Sequence, residues 1–522
     1  MSGLRRKKRK IQEDCMTRYD YELGVIGGGS AGLTIASGAA RLGAKTLLIE
    51  KEKRLGGDCL YFGCVPSKTL IRTAQVYHLM KQAKTFGLPS VKVPPVAFKQ
   101  VVQRIQSVIG TIQKQDSEER FCDLGVNVVH GQTEFLDPHT VILNGKPATA
   151  KNWVIATGSS PAIPPLPGLA GTPHLTYRDL FSLPQLPQSM IILGAGPVAI
   201  EMAQAFSRLG TQVFVVQRGP QILSKEDKDM ADQVMQDLEK EGVIFFLNTA
   251  IIRVVEADQE RVVTLKIDPN QTKKMLSKIW PDEVVKIDRD RTLTLRAEAL
   301  LVAMGRQANL SGLGLEAIGL SFDSKGLKLD KRLRTKHSHI YGAGDVTGEY
   351  QFTHAAAYEA GIVLSNTVLH LPKKVDYTWL PWCLYSDPEL AGLGLNEKQA
   401  KKAKIKYSIW TEEFKDNDRS LTLGVTSGKI KMLLDENEKP LGIQILGPGA
   451  GDLISEWVAA TNGKVNLSTL AGAVHPYPTL GEINQTVARA VMSRKLFSKK
   501  IDKGLQFFFQ LRGRSCGEGF GE

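Results

Sequence analysis

The sequence predicts an α/β fold with two Rossmann-like dinucleotide-binding domains and a C-terminal α+β domain. Three observations carry this. A glycine fingerprint starting at Gly27 lies between two apolar runs and is followed by an acid, Glu50. A second fingerprint starts 167 residues later, at Gly194. From about Asp376 the pattern changes to a strand pair, Lys429–Leu434 and Leu441–Leu446, with two helices flanking the segment around His475.

The chain has 522 residues, too long for one core, so two to four domains are expected. Hydrophobic residues make up 42% and charged residues 23%, as in a soluble globular protein. No apolar run reaches the ~18 residues of a membrane helix. The six cysteines are irregularly spaced, unlike a secreted disulfide framework. A reducing, cytoplasmic setting is the simpler expectation. Net charge is +13, partly concentrated at the ends. The run Arg5–Lys10 reads as a solvated tail, with an address signal or a polyanion contact as the sharper alternative. No apolar segment follows it, so it is not a secretory signal, and Glu13 and Asp14 weaken a transit-peptide reading.

Taken in order, Tyr21–Ile26 reads as a buried strand leading into Gly27-Gly-Gly29-Ser30-Ala31-Gly32 and a helix to about Leu42. Lys45–Ile49 is the next strand, ending on Glu50. In this context the fingerprint is strong. Gly27 makes the turn, Gly29 admits a pyrophosphate, and Gly32 allows close helix–strand packing. Glu50 can accept hydrogen bonds from a ribose.

The stretch Gly56–Lys68 holds Cys59 and Cys64, five positions apart. On one ideal helix such positions lie roughly 8–9 Å apart, and a disulfide needs Cα atoms closer than about 7 Å. The pair can close only over a distorted backbone, for which Gly63 supplies freedom. Pro66 suits a first helical turn, which places Cys64 near a helix N-terminus and favours its thiolate. Lys68 adds positive charge one turn on. These are conditions for a redox-active pair. The bland alternative is two buried or metal-binding cysteines, but a metal site usually takes four ligands and no second pair lies nearby. No resident metal is expected.

Helices are predicted over residues 66–82 and 97–122, the second with an apolar face of Val101, Ile105, Val108 and Ile112. Val126–Val129 and Gly131–Phe135 read as strands, and Trp153–Gly158 as a strand ending in a tight turn. Pro161, Pro164, Pro165 and Pro167 mark a boundary. The second fingerprint, Gly194-Ala195-Gly196, follows the strand Met190–Leu193, and Ala199 replaces the last glycine. Two such folds imply two dinucleotides, a flavin and a nicotinamide. The strand Val213–Val216 ends in Gln217-Arg218 rather than an acid, so Arg218 can pair with a 2′-phosphate and NADPH is favoured over NADH. The bland reading of Arg218 is a surface arginine. Further on, Leu301–Met304 runs into Gly305-Arg306, and Ile340–Gly344 delivers Asp345 at a glycine turn before a helix starting near Phe352.

From about Tyr19 to about Ala490 these motifs resemble, in order, those of the FAD-dependent pyridine nucleotide-disulfide oxidoreductases, in the branch of mercuric reductase and dihydrolipoamide dehydrogenase. The resemblance implies a homodimer with a discontinuous FAD domain at 19–165 and 306–375 and an NAD(P)H domain at 166–305. An interface domain would follow at 376–498, with tails at 1–18 and 499–522. It implies FAD contacts from Gly27, Gly29, Ser30, Ala31, Gly32, Glu50, Lys51, Gly57, Asp58, Lys68, Gly131, Thr157, Gly158, Asp345 and Thr353. The nicotinamide nucleotide would meet Gly194, Ala195, Gly196, Ala199, Arg218, Gly305 and Arg306.

The implied electron path runs from NADPH (NADH as the alternative) to FAD, to a Cys59–Cys64 disulfide, to an acceptor. Cys64 would face the flavin as thiolate and Cys59 the substrate. Lys68 matches the family lysine beside the flavin and Glu201 its paired glutamate; without the resemblance Glu201 reads as an exposed helix residue. The departure is at the acid–base site. Disulfide reductases of the family carry a histidine five residues before a glutamate. Here Glu482 is preceded at that spacing by Tyr477, as in mercuric reductase, and His475 lies two residues earlier. Tyrosine titrates near 10 and is mainly a donor, whereas histidine titrates near 6.5. His475 is a second candidate base, with a structural histidine as its bland reading. The C-terminal end has Cys516 alone, where mercuric reductase has a vicinal pair.

The leading expectation is therefore an enzyme passing electrons to a metal ion, disulfide or quinone. Dihydrolipoamide dehydrogenase is the second reading, against which Tyr477 and Gln217 argue. A flavoprotein sensor or scaffold holding a polyanion by its basic ends is the non-enzymatic one. No nucleic acid and no membrane span are expected. The apolar run Leu505–Leu511 is expected to dock on the protein rather than touch a membrane surface.

Overall fold

The computed structural model describes residues 19–266, 285–287, 292–497 and 499–510. The run Arg5–Lys10, Cys516 and everything beyond Gln510 lie outside the described residues. The chain packs as two compact units. One comprises Met1–Gly194, Leu209–Gln212 and Ala250–Asp376; the other comprises Ala195–Arg208, Val213–Thr249 and Tyr377–Glu522. The first unit takes in residues 250–305, which the sequence reading groups with the second nucleotide domain.

The first unit is built on a sheet whose parallel part runs in the order 126–130, 46–50, 21–26, 146–155 and 340–342. Its strands are continuous apolar runs because both faces are covered. Val25, Leu48 and Val154 lie in one core cluster. Ile26, Leu47, Ile49 and Trp153 lie in the other. The early half of Lys146–Ile155 turns away into an antiparallel ladder with 140–143 and 133–135. Ile26, Glu50, Ile155 and Gly342 end neighbouring strands, so the glycine turn, Glu50, Thr157 and Asp345 all emerge at one edge. In doubly wound sheets that carboxyl edge is where ligands bind.

The second unit holds a five-stranded antiparallel sheet in the order 382–384, 389–394, 440–447, 429–434 and 408–413. Ala450–Asn462 and Glu482–Leu496 cover one face, with Trp457, Ile483 and Val487 in its core. The expected strand pair forms, as 429–434 beside 440–447.

Some boundaries differ from expectation. The helix predicted over 97–122 is Phe98–Gln113, then a 3-10 turn at Lys114–Asp116 and a helix Glu118–Asp123. Ser117 breaks it, because its side chain accepts the Arg120 N–H and caps the new helix. The buried stripe is Phe98, Val101, Ile105 and Ile109; Val108 and Ile112, expected in it, are half-buried at its margin. The strand expected from Gly131 starts at Thr133, since Gly131 has φ +158 and lies against the Asn144 side chain.

Lys431 is a fully buried cation in the second unit. Its ammonium lies 3.0 Å from Asp227 and 2.9 Å from Asp229, and also bonds Glu397. The three carboxylates hold it charged by raising its pKa against the cost of burial. Removing the cation leaves like charges uncompensated, Asp227 buried among them. Lys431→Met should therefore destabilise the fold by about 3–5 kcal/mol. Chemical denaturation checks this; an unchanged midpoint would refute it.

Candidate redox site

The first fingerprint folds as its glycines require. Gly27 has φ +112, and a Cβ there would meet the Ala156 carbonyl oxygen at 2.3 Å. A Cβ on Gly32 would fall 1.8 Å from the Gly27 oxygen. The helix Ser30–Arg41 starts at this turn, with Ala31 buried behind Ser30. Gly57, at φ +62, brings the cysteine segment over the loop so closely that its Cβ would lie 2.7 Å from the Gly29 Cα. The result is a cradle free of side chains at a helix N-terminus, which fits a pyrophosphate. Glu50 Oε2 accepts the Gly28 N–H at 2.6 Å and Oε1 the Glu52 N–H at 2.8 Å. Each carboxylate oxygen keeps acceptor capacity for a ribose hydroxyl. Lys51 beside it is exposed.

The cysteines do not lie on one helix. Gly57–Tyr61 carries Cys59, and Cys64 opens a new helix, Cys64–Lys81. The break falls at Phe62 and Gly63, whose N–H groups both donate to the Asp58 carbonyl, at 2.9 and 2.6 Å. A side chain at Gly63 would crowd the Cys59 Cα at 3.2 Å. Gly63 thus lets the two cysteine turns approach. The two sulfurs are not joined in a disulfide here. The Cys59 thiol hydrogen-bonds to Cys64, and that bond, then burial and the charge of Cys64, push its pKa well up. The Thr353 hydroxyl, at the start of the helix Thr353–Thr367, donates to the Cys59 sulfur at 3.0 Å and lies 3.5 Å from that of Cys64. Cys64 is the sulfur placed to carry charge, at a helix N-terminus with Cys59 as its donor.

Beside them sits a charged cluster that sequence reading half found. Asp58 accepts from Arg178 at 2.5 Å, from Arg306 at 2.9 Å and from the Tyr177 hydroxyl. Arg306 also lies 3.3 Å from Asp345, whose other partner is the Ser159 hydroxyl at 2.5 Å. Gly305, at φ +123, leads into the short strand Arg306–Ala308. Burial pushes the Tyr177 phenol up, so it stays a donor. Tyr177 and Arg178 were missed because they follow a proline-rich stretch 119 and 120 residues from Asp58, with no local signal. Thr157 and Gly158 are anchored by Asn309, through the Thr157 hydroxyl at 2.6 Å and the Asn309 N–H at 2.9 Å.

In the second fingerprint Gly194 has φ +102 and lies against the Ala303 carbonyl. Ala195 and Ala199 are buried, and Gly196 is half-buried. Arg218 is exposed just past the strand Gln212–Val216. Glu201 is not an exposed helix residue: it is buried and accepts the Tyr385 N–H at 2.9 Å.

The acid–base segment departs from its expected pairing. The Tyr477 hydroxyl donates to Asp418 at 2.7 Å, and Asp418 raises its pKa. Glu482 instead accepts the Thr479 N–H at 3.0 Å at the start of its own helix. His475 faces Glu456 through Nε2 at 3.0 Å and the Ala473 carbonyl through Nδ1 at 3.3 Å. Asn484 donates to the other Glu456 oxygen at 2.8 Å. Both ring nitrogens of His475 thus face internal acceptors.

A paired-cysteine helix start below a dinucleotide cradle defines a flavoprotein thiol–disulfide oxidoreductase. A family model described as pyridine nucleotide-disulphide oxidoreductase matches residues 21–360, and that family's dimerisation domain matches 380–488. The chain belongs to this family, which is FAD-dependent and uses NAD(P)H, and the dimerisation domain supports a homodimer. It is 32% identical to dihydrolipoyl dehydrogenase of Bacillus subtilis (strain 168) over 89% of this chain and 96% of that one. It is 30% identical to mercuric reductase of Bacillus cereus over 89% of this chain and 70% of that one. Among solved structures, HOCl-induced flavoprotein disulfide reductase RclA from Escherichia coli aligns with a TM-score of 0.77 at 25% identity, covering 90% of this chain and all of the other. Among the described residues no helix is long and apolar enough to cross a membrane.

Proposed function

We propose that this enzyme passes electrons from NADPH, through FAD and the Cys59–Cys64 pair, to a thiophilic metal ion in preference to a small disulfide. The observation that carries the preference is the Tyr477–Asp418 hydrogen bond at the acid–base position. Oxidising a dithiol to a disulfide releases two electrons and two protons. A disulfide acceptor needs both, and its leaving thiolate needs a proton donor. A metal ion takes the electrons and leaves the protons to solvent. A tyrosine whose pKa is raised by Asp418 holds its proton and is a poor shuttle at neutral pH. Soft ions also prefer thiolate ligands, and a similar structure is that of a Cu(II) complex of RclA. A disulfide reductase is the second reading, supported by the likeness to dihydrolipoyl dehydrogenase.

When bound, FAD supplies the relay between nicotinamide and sulfur. In this reading the Gly27–Gly32 loop and Gly57 cradle its pyrophosphate, Glu50 and Gly131 hold the adenosine end, and Asp345 meets the chain between. Asp58, Arg178 and Arg306 fix the segment that carries Cys59. Lys68 lies one turn after Cys64, and Glu201 is its proposed partner. The boundaries 19–165 with 306–375, 166–305 and 376–498 are proposed as the FAD, nicotinamide and interface domains. The acceptor is found by an anaerobic NADPH titration followed by a screen of Hg(II), Cu(II), quinones and disulfides. Turnover with disulfides alone would overturn the metal reading.

Arg218 is proposed to hold the 2′-phosphate. Arg218→Ala should raise KM for NADPH with little change for NADH, a loss of about 1.5–3 kcal/mol, as for a hydrogen bond to a charged group. Parallel kinetics with both nucleotides check this, and equal effects would refute it.

A further inference from the structure

We propose that the helix Lys499–Phe509 is a membrane-surface anchor that lies on anionic lipid. Among the described residues, the three phenylalanines of the run are not covered by the protomer. Phe507, Phe508 and Phe509 are 80%, 78% and 70% exposed. Ile501, Leu505, Phe508 and Phe509 recur at spacings of four, three and one, which sets them on one helical face. The helix is 11 residues long, roughly 16 Å at the usual rise, far too short to cross a bilayer but suited to lie in its interface.

Charge selects the occupant. Residues 494–514 contain Arg494, Lys495, Lys499, Lys500, Lys503, Arg512 and Arg514 against Asp502 alone, a net +6. A second copy of the segment carries the same charge and would be repelled. The match to the dimerisation domain also ends at residue 488, before this helix begins. A nucleic acid would satisfy the cations, and phenylalanines can stack on bases. The aliphatic Ile501 and Leu505 on the same face have no such use. An anionic bilayer satisfies both features: headgroups take the cations, and the aromatic and aliphatic face enters the acyl boundary. Lone acyl or apolar insertion is weak, and added basic charge makes such binding stable.

The test is co-sedimentation of the full-length FAD-loaded protein with vesicles of phosphatidylcholine alone or mixed with phosphatidylglycerol. Binding is expected to the mixed vesicles only, and is expected to be lost near 1 M salt, where the Debye length is about 3 Å. The triple variant Phe507→Ser, Phe508→Ser, Phe509→Ser should stay in the supernatant with NADPH oxidation intact. Each of Lys499→Gln, Lys500→Gln and Lys503→Gln should weaken partition by about fivefold. Equal binding to neutral vesicles, or vesicle binding by the triple variant, would overturn the proposal. So would an absence of vesicle binding, whether joined to oligonucleotide binding or to a changed oligomeric state in the triple variant.

Discussion

Cys64→Ser should reduce NADPH-driven turnover with thiophilic metal ions and with disulfides by on the order of 10⁴-fold or more, the scale on which removing one member of a catalytic unit acts. Cys59→Ser should match it, because neither sulfur can close a disulfide alone. The two variants differ in a second readout. In the reduced parent, Cys59 keeps its proton because it donates to Cys64 and sits against that sulfur's charge. Those causes vanish in Cys64→Ser, while the Thr353 hydroxyl still donates to Cys59 and favours its thiolate. The alkylation rate of Cys59 should then rise at lower pH than in the parent, with burial still holding the thiol above its ordinary range. The sign is fixed: loss of a group that raises the pKa brings the titration to lower pH. Metal-ion or disulfide turnover surviving in either variant would break the proposed path. An unshifted Cys59 profile would mean that Cys64 does not carry the charge.

Much of this site was legible because its signals are local. Gly27, Gly29 and Gly32 stand within six residues, and Gly27 and Gly32 each have a steric reason visible in the folded loop. Cys59, Gly63 and Cys64 likewise fix their own turn. What sequence did not disclose are side-chain pairings across long separations. Asp58 could be placed near the cofactor, but its guanidinium and phenol partners come from Tyr177, Arg178 and Arg306, far along the chain. Asp418, the partner of Tyr477, sits 59 residues away at the start of a short helix capped by Asn417. No periodicity points to it. Glu482 was paired with position 477 by spacing, yet a first-turn glutamate finds nearer backbone donors, and here it takes the Thr479 N–H. The tail is open to a related ambiguity: Phe507, Phe508 and Phe509 are exposed in the protomer. An apolar run implies burial only if something covers it, and the sequence does not show what does.

Tyr477→His should raise reduction of small disulfides at neutral pH by about 10²–10⁴-fold, the usual worth of a placed acid–base group. The parent should be poor with such substrates, because the tyrosine donates to Asp418 and keeps its proton. An imidazole in its place would meet the Asp418 carboxylate, which favours the charged form and lifts the pKa above about 6.5. That form is the acid a leaving thiolate needs. Disulfide turnover in the variant should therefore be full below that pKa and fall as pH rises through it. Metal-ion reduction should change little. The rival is His475, two residues away. Its ring is spanned by Glu456 and the Ala473 carbonyl, so it is expected to brace the helix Glu482–Leu496 rather than move protons. His475→Ala should then lower the melting temperature, by about 1–3 kcal/mol in stability for the orphaned acceptor, and leave the pH profile in place. His475→Gln should recover part of the loss by donating one hydrogen bond. Strong parental disulfide turnover whose pH dependence disappears in His475→Ala would defeat the tyrosine assignment and make His475 the base.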